Sequence, residues 1–237
     1  MIKLFRTIRK QLLKEGKTAN YLKYAVGEIV LVVIGILLAL QINNWNDSRK
    51  NQKYEQEILL LINHNLKNDS IALTNELIKA KEANVLTNRL IEQVASGNYG
   101  DSLNNWMGKI ISFERFKSQS SAFEVLKSKG IETISDNGLQ LALISYYDEI
   151  LYGVYQALND VSESFRIDWI PIVKQDFSDF KYREYCTPID SKAFFENPST
   201  ITFFKIYKDN RYGSVRNIEL ALTKISEIKT LIKKDLK

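Results

Sequence analysis

The sequence has one cysteine, one histidine, three prolines and ten glycines in 237 residues. Each scarcity excludes something. Cys186 has no partner for an intrachain disulfide. With His64 as the only histidine, no His/Cys set has the spacing of a zinc site. So few prolines and glycines favour long uninterrupted elements over a turn-rich β architecture. There is no H-E-x-x-H pair, no phosphate-cradling glycine loop and no strand–turn–helix serine elbow. The sequence therefore names no catalytic residue, no metal ligand and no cofactor, and an enzyme is not expected.

Net positive charge is confined to one end of the chain. Net charge is +5, but Lys3, Arg6, Arg9, Lys10, Lys14, Lys17 and Lys23 against Glu15 give the first 23 residues +6, leaving −1 for the remainder. A nucleic-acid partner is not expected, because the large remainder has no net positive field. In the basic tip Ile2, Phe5, Ile8 and Leu12 share one face at helical spacing. That suits a short amphipathic helix on the anionic cytoplasmic leaflet. It suits a simple topology signal equally well.

What the chain does have is one long apolar run, "KYAVGEIVLVVIGILLALQINNWND", Lys23 to Asp47. Tyr24 to Ile42 would extend about 28 Å as a helix, close to a bilayer's hydrocarbon thickness. Tyr21, Tyr24 and Trp45 stand where interfacial aromatics are found. A buried core helix would show a polar stripe, and Ile29 to Leu40 has none. A cleaved signal needs a small-x-small site, but Leu37 occupies the −3 position for a cut after Ala39. The expectation is a permanent anchor in a bacterial inner membrane, with the basic N-terminus cytoplasmic and the C-terminal region periplasmic. Three regions follow: a basic segment 1–23, a transmembrane helix 24–42 and a helical domain 43–237.

Glu28 lies inside that run. Glu28, Val32, Gly35, Ala39 and Ile42 form one stripe at 4-3-4-3 spacing. Gly35 and Ala39 make a small-x-x-x-small pair that permits close helix approach. The expectation is a homo-oligomer with Glu28 facing a partner helix. The competing reading is that Glu28, near Lys23, reaches headgroup water.

"YLKYAVGEIVLVVIGILLALQINNWND" and the basic "MIKLFRTIRKQLL" resemble the signature of a family of short single-pass membrane proteins of Gram-negative bacteria, known only as a domain of unknown function. "SAFEVLKSKG" and "LISYYDEIL" resemble its soluble part more loosely. The resemblance implies a helical extramembrane region and brings no catalytic residues.

Past the run, apolar residues at Leu59, Ile62, Leu66, Leu73, Leu77, Ala80, Ile91 and Val94 follow helical spacing. The membrane helix is expected to run on unbroken as a stalk of about 80 Å, stopping at Ser96–Gly100. Ser121 and Glu124 match a capping box, Gly130 a helix end, and Ser135 or Asp136 the next cap. Leu139, Leu143, Tyr147, Ile150, Val154, Leu158, Val161 and Phe165 give a 4-4-3-4-4-3-4 apolar face. Pro171 should end or kink that helix, and 171–196 reads as irregular. Asn197-Pro198 opens a last helix, with Val215, Ile218, Leu222, Ile225 and Ile232 on its core side. Gly213, inside it, suggests close packing of another element. No strand alternation is convincing. The expected class is all-α: one N-terminal transmembrane helix continuing into an elongated antiparallel helical bundle.

Aromatics are the one enrichment. Trp106, Phe123, Tyr147, Tyr155, Trp169, Phe204 and Tyr207 are candidates for a membrane-distal pocket. The preferred reading is that the rings simply fill a bundle tip. His64 reads as a solvated surface residue and Cys186 as an inert thiol. The functional expectation is an anchored scaffold or protein-interaction protein without catalytic activity. Its expected partners are the bilayer, further copies of itself and another membrane or periplasmic protein. The alternative is a periplasmic ligand-binding sensor that relays a signal to a partner.

Overall fold

In the computed structural model, residues 18–113 and 115–235 are described. The basic tip residues Lys3, Arg6, Arg9, Lys10, Lys14 and Lys17 lie outside them. The chain divides into two compact units, 1–55 and 56–237. Helix α1, Thr18–Ala95, contributes to both.

In the first unit α1 carries the apolar run. An 18-residue window there reaches a mean hydropathy of 2.5, with none of it buried. Val32, Gly35, Ala39 and Ile42 are all exposed, and Glu28 is half-buried. A side chain at Gly35 would meet nothing within 4 Å. Beyond the run, Asn43 donates to Asp47 at 3.1 Å and Lys50 pairs with Asp47 at 3.7 Å. The helix is thus apolar on every side and then turns polar within one turn, as a membrane-crossing segment must.

The second unit is helical apart from one hairpin. After α1 come α2 (Ser102–Ile110), α3 (Ser121–Lys129) and α4 (Asn137–Ile144). α5 (Leu151–Glu163) and α6 (Ile170–Asp176) follow, then strands β1 (Phe177–Lys181) and β2 (Tyr185–Pro188). α7 (Ser191–Glu196) and α8 (Pro198–Asp235) complete it. Leu59, Ile62, Leu66, Leu73, Ala80 and Leu90 of α1 are fully buried. Each such side chain contributes about 1.5–3 kcal/mol of transfer free energy. α8 runs antiparallel to α1, with Lys208 on Asn88 and Lys81 on Glu219. It also runs antiparallel to α5, with Ser214 donating to the Ala157 carbonyl at 3.0 Å. Buried between α1 and α8, Glu76 and Arg211 form an ion pair at 3.3 Å. One apolar cluster gathers Leu86, Leu90, Met107, Val161, Trp169, Phe204 and Tyr207.

Several local expectations are met. Asp136 accepts the Leu139 N–H at 3.0 Å and caps α4. Gly130, at φ +112°, ends α3 in a conformation that side chains disfavour. Asn197 accepts the Ser199 N–H at 3.0 Å, ahead of α8.

Others are corrected. The Pro171 break does not occur, and the chain stays helical from 137 to 176. Two π turns, Ser145–Ile150 and Ser164–Trp169, lie within that stretch, and the second ends just before Pro171. Ile170 there donates to the Phe165 carbonyl, five residues back. The wider turn shifts the ladder where proline has no donor to offer. The Ser121 capping box is not made, because α3 starts from Ser120 without a side-chain cap. A side chain at Gly213 would meet nothing within 4 Å. Close approach falls instead at Gly153, where an added Cβ would lie 2.7 Å from Asn217, and at Gly108, 2.5 Å from the Glu184 backbone. Residues 171–196 are ordered elements, including an antiparallel β1–β2 pair with an irregularity between Phe177 and Asp179.

Candidate functional site

The segment between α2 and α3 has no secondary structure to hold it, yet side chains fix it at both ends. At the first end Tyr182 OH accepts the Phe113 N–H at 2.9 Å and donates to the Phe113 carbonyl at 2.7 Å. Arg183 donates to the same carbonyl at 3.2 Å. At the other end Ser118 N–H donates to Tyr155 OH at 3.1 Å. Asp69 of α1, 2% exposed, accepts from the Ser118 hydroxyl, from Gln119 N–H at 2.9 Å and from Tyr146 OH at 2.9 Å. A buried carboxylate is tolerated only when donors converge on it in this way. Burial, followed by the Asp69 charge, pushes the Tyr146 hydroxyl upward from its usual range, so it remains a donor.

The π turns aim these groups. The first contains Tyr146, which meets Asp69. The second contains Phe165 and Arg166, which face the underside of the loop. Phe113, Phe165 and Tyr182 form a triangle of rings with centroids 5.2–5.9 Å apart. Phe116 stacks on Tyr155 at 6.0 Å.

Two hollows flank the loop and share Phe113 and Arg115. The first, about 430 Å³, adds Phe116, Tyr155, Leu158, Asn159, Ser162 and Arg166. The second, about 480 Å³, adds Phe165, Phe180, Tyr182 and Arg183. Among the described residues no carboxylate, histidine or thiol lines either one. Their walls are aromatic and their charge is positive, a combination suited to an apolar group carrying negative charge. Arg183 sits at φ 71° in the β1–β2 turn, where glycine or asparagine is the usual occupant. Its guanidinium lies 5.0 Å from the Tyr182 ring.

Of the seven aromatics expected to form a pocket, Tyr155 lines the first hollow. Trp169, Phe204, Tyr207 and Trp106 belong to the large apolar cluster, with Trp169 stacked on Phe203 at 5.2 Å. Phe123 and Tyr147 stack at 4.4 Å in a separate group beside Tyr146. Tyr207 OH donates to the Ile111 carbonyl at 2.6 Å, and burial raises its pKa. Cys186 is fully buried, and burial alone pushes its thiol up to about 12, which keeps it unreactive. His64 is exposed, 3.3 Å from the Asn68 amide. No group of His, Cys, Asp or Glu among the described residues is placed to hold a metal ion.

Arg115, Arg166 and Arg183 were not legible as a set, because they sit on three separate elements. The only local signal was the alternation of phenylalanine and charge in "FERFK".

Residues 28–165, more than half of the chain, match the model of DUF6090, a family of unknown function. The chain belongs to that family. The DUF6090 match takes in the apolar run from Glu28 onward, Asp69, the pinned loop and most of the first hollow. It stops one residue short of Arg166 and excludes the hairpin and α8. Comparison with curated proteins and with solved structures gave no match.

Proposed function

We propose that this chain is a membrane-anchored binding module without catalytic activity, whose loop 112–120 presents a ligand site. The observation that carries the reading is the double pinning of that loop over two aromatic, positively charged hollows. Fixing a loop before a ligand arrives lowers the entropy lost on binding. The apolar run of α1 supports anchoring. The positive flank favours an inner membrane with the N-terminus cytoplasmic and residues beyond Asn43 periplasmic.

Native mass spectrometry of the full chain, released gently from its own membranes, tests this reading. The expected result is a bound small-molecule mass that Phe116→Ala, Tyr155→Ala protein lacks. An unliganded wild-type protein whose melting temperature no small molecule or peptide raises would contradict it.

Self-association as a scaffold is the second reading, and it goes with the first. Its support is the stripe of Glu28, Val32, Gly35, Ala39 and Ile42, which has open space at Gly35. In the second unit Ile71, Ile78 and Val85 are at least half exposed at seven-residue spacing. Disulfide crosslinking of Val32→Cys and Gly35→Cys chains in native membranes is the expected outcome. Absence of crosslinks while a positive control works would remove this reading.

A further inference from the structure

The two hollows differ in what their arginines are doing. In the second, Arg183 is committed to the Phe113 carbonyl and lies over Tyr182. Arg115, common to both, makes no hydrogen bond or ion pair to any described residue, and the first hollow adds Arg166. Among the described residues Arg166 engages only Ser162, whose carbonyl accepts from Nε at 3.3 Å. That bond orients the guanidinium, and no described residue engages its terminal nitrogens.

From this we infer that the first hollow binds a small molecule in which an oxyanion, phosphate or carboxylate, sits on an aromatic or otherwise apolar body. The inference rests on the binding-module reading and specifies its ligand. Arg115 and Arg166 hold the oxyanion, and the planar fork of each matches two oxygens at once. Phe113, Phe116, Tyr155 and Leu158 receive the body. Asn159 supplies a side-chain amide and Ser162 a hydroxyl oxygen. Ser162 OH itself is spent on the Asn159 carbonyl at 3.0 Å.

Magnitudes decide between ligand classes. A hollow of about 430 Å³ falls in the usual small-molecule range of roughly 300–1,000 Å³. Two arginines neutralise one oxyanion and are too few for a polyanion, which needs a long basic track. Bare phosphate leaves the aromatic wall unused. A neutral aromatic leaves Arg115 without a partner. Asp69, the nearest buried carboxylate to the loop, is saturated by donors from Ser118, Gln119 and Tyr146. It therefore does not quench the arginines.

The test is calorimetric titration of the full chain in zwitterionic-lipid nanodiscs. The probes are naphthyl phosphate, naphthoate, inorganic phosphate, naphthalenemethanol and an acidic peptide. The expected result is that naphthyl phosphate or naphthoate binds at least tenfold tighter than both inorganic phosphate and the neutral alcohol. Whichever wins identifies the oxyanion. Arg115→Gln, Arg166→Gln protein should lose at least tenfold for the winning probe with an unchanged melting curve. Arg216→Gln, on exposed α8 surface, should lose nothing. Tight binding should also weaken as salt is raised. Equal binding by the alcohol, or by the double variant, overturns the inference. Binding of an acidic peptide alone overturns the ligand class while leaving the module reading in place. If no probe binds and the native particle is also unliganded, both fall.

Discussion

Helix α1 contains two stretches of similar secondary structure and opposite logic. From Ala25 to Ile42 nearly every side chain is apolar and none of the most apolar window is buried. From Gln56 onward, buried residues recur at helical intervals, from Leu59, Ile62 and Leu66 to Leu73, Ala80 and Leu90. Charged and polar residues take most of the rest. The difference teaches that hydrophobicity alone does not identify a protein core. A core helix needs an apolar face with a period, because it must keep another face in water. A helix apolar all round has no such second solvent to satisfy, which is the condition inside a bilayer.

The contrast is easiest to break by placing the same charge in each region. Leu143 is fully buried in α4. An aspartate there costs several kcal/mol per buried ion, against a total domain stability of about 5–15 kcal/mol. Leu143→Asp should abolish cooperative melting by circular dichroism, and retained melting would refute the packing described above. Arg211→Met comes next. It removes the buried cation that pairs with Glu76, at a cost of about 3–5 kcal/mol. Adding Glu76→Leu to it should recover most of that loss, read as the midpoint of urea unfolding. Ile34→Asp should leave the melting of the second unit alone. It should weaken membrane insertion by about 2.5–3.5 kcal/mol, seen as release into carbonate washes. Asp69→Asn should cost about 1–3 kcal/mol and speed amide exchange at Ser118 and Gln119, because one of its atoms becomes a donor facing donors.

The smallest effect concerns pH. Cys186, Tyr146, Tyr147 and Tyr207 are all raised from ordinary values of 9.0 or 10.0, chiefly by burial. A raised pKa means that the stability is whole below the unfolded-state value and falls as pH climbs toward the folded one. Unfolding midpoints should therefore stay flat through neutrality and decline above about pH 9. Cys186 should label with a maleimide at pH 8 only in denaturant.

How much of this was readable beforehand follows the same division. The long apolar helix was legible because an uninterrupted apolar run is a local property. The helical faces were legible because Leu139, Leu143, Tyr147, Val154, Leu158 and Val161 repeat at helical intervals. Their 4-4-3 spacing even carried an unread signal: it averages slightly above 3.6 residues per turn, and the first π turn, Ser145–Ile150, lies within it. The hairpin was hidden because Phe177 and Phe180 do not alternate across the irregular register, and because its turn holds Arg183 rather than glycine. The hollow was hidden for another reason. Arg115, Tyr155 and Arg166 meet only after α1 supplies Asp69 to pin a loop that has no pattern of its own. Tertiary convergence of this kind leaves no period in a sequence.

The comparison along α1 can be measured residue by residue. In a Cys186→Ala background, single cysteines from Ile29 to Leu40 and from Leu59 to Val85 would be exposed to a membrane-impermeant maleimide in intact membranes opened on both sides. The account predicts no labelling anywhere in the first set, whatever the helix face. In the second set Leu60 and Leu61 should label fast, with Leu59, Ile62, Leu66 and Leu73 slow. Labelling in the first set that rises and falls with helical period would contradict it, since that pattern belongs to a helix packed on protein with one side in water.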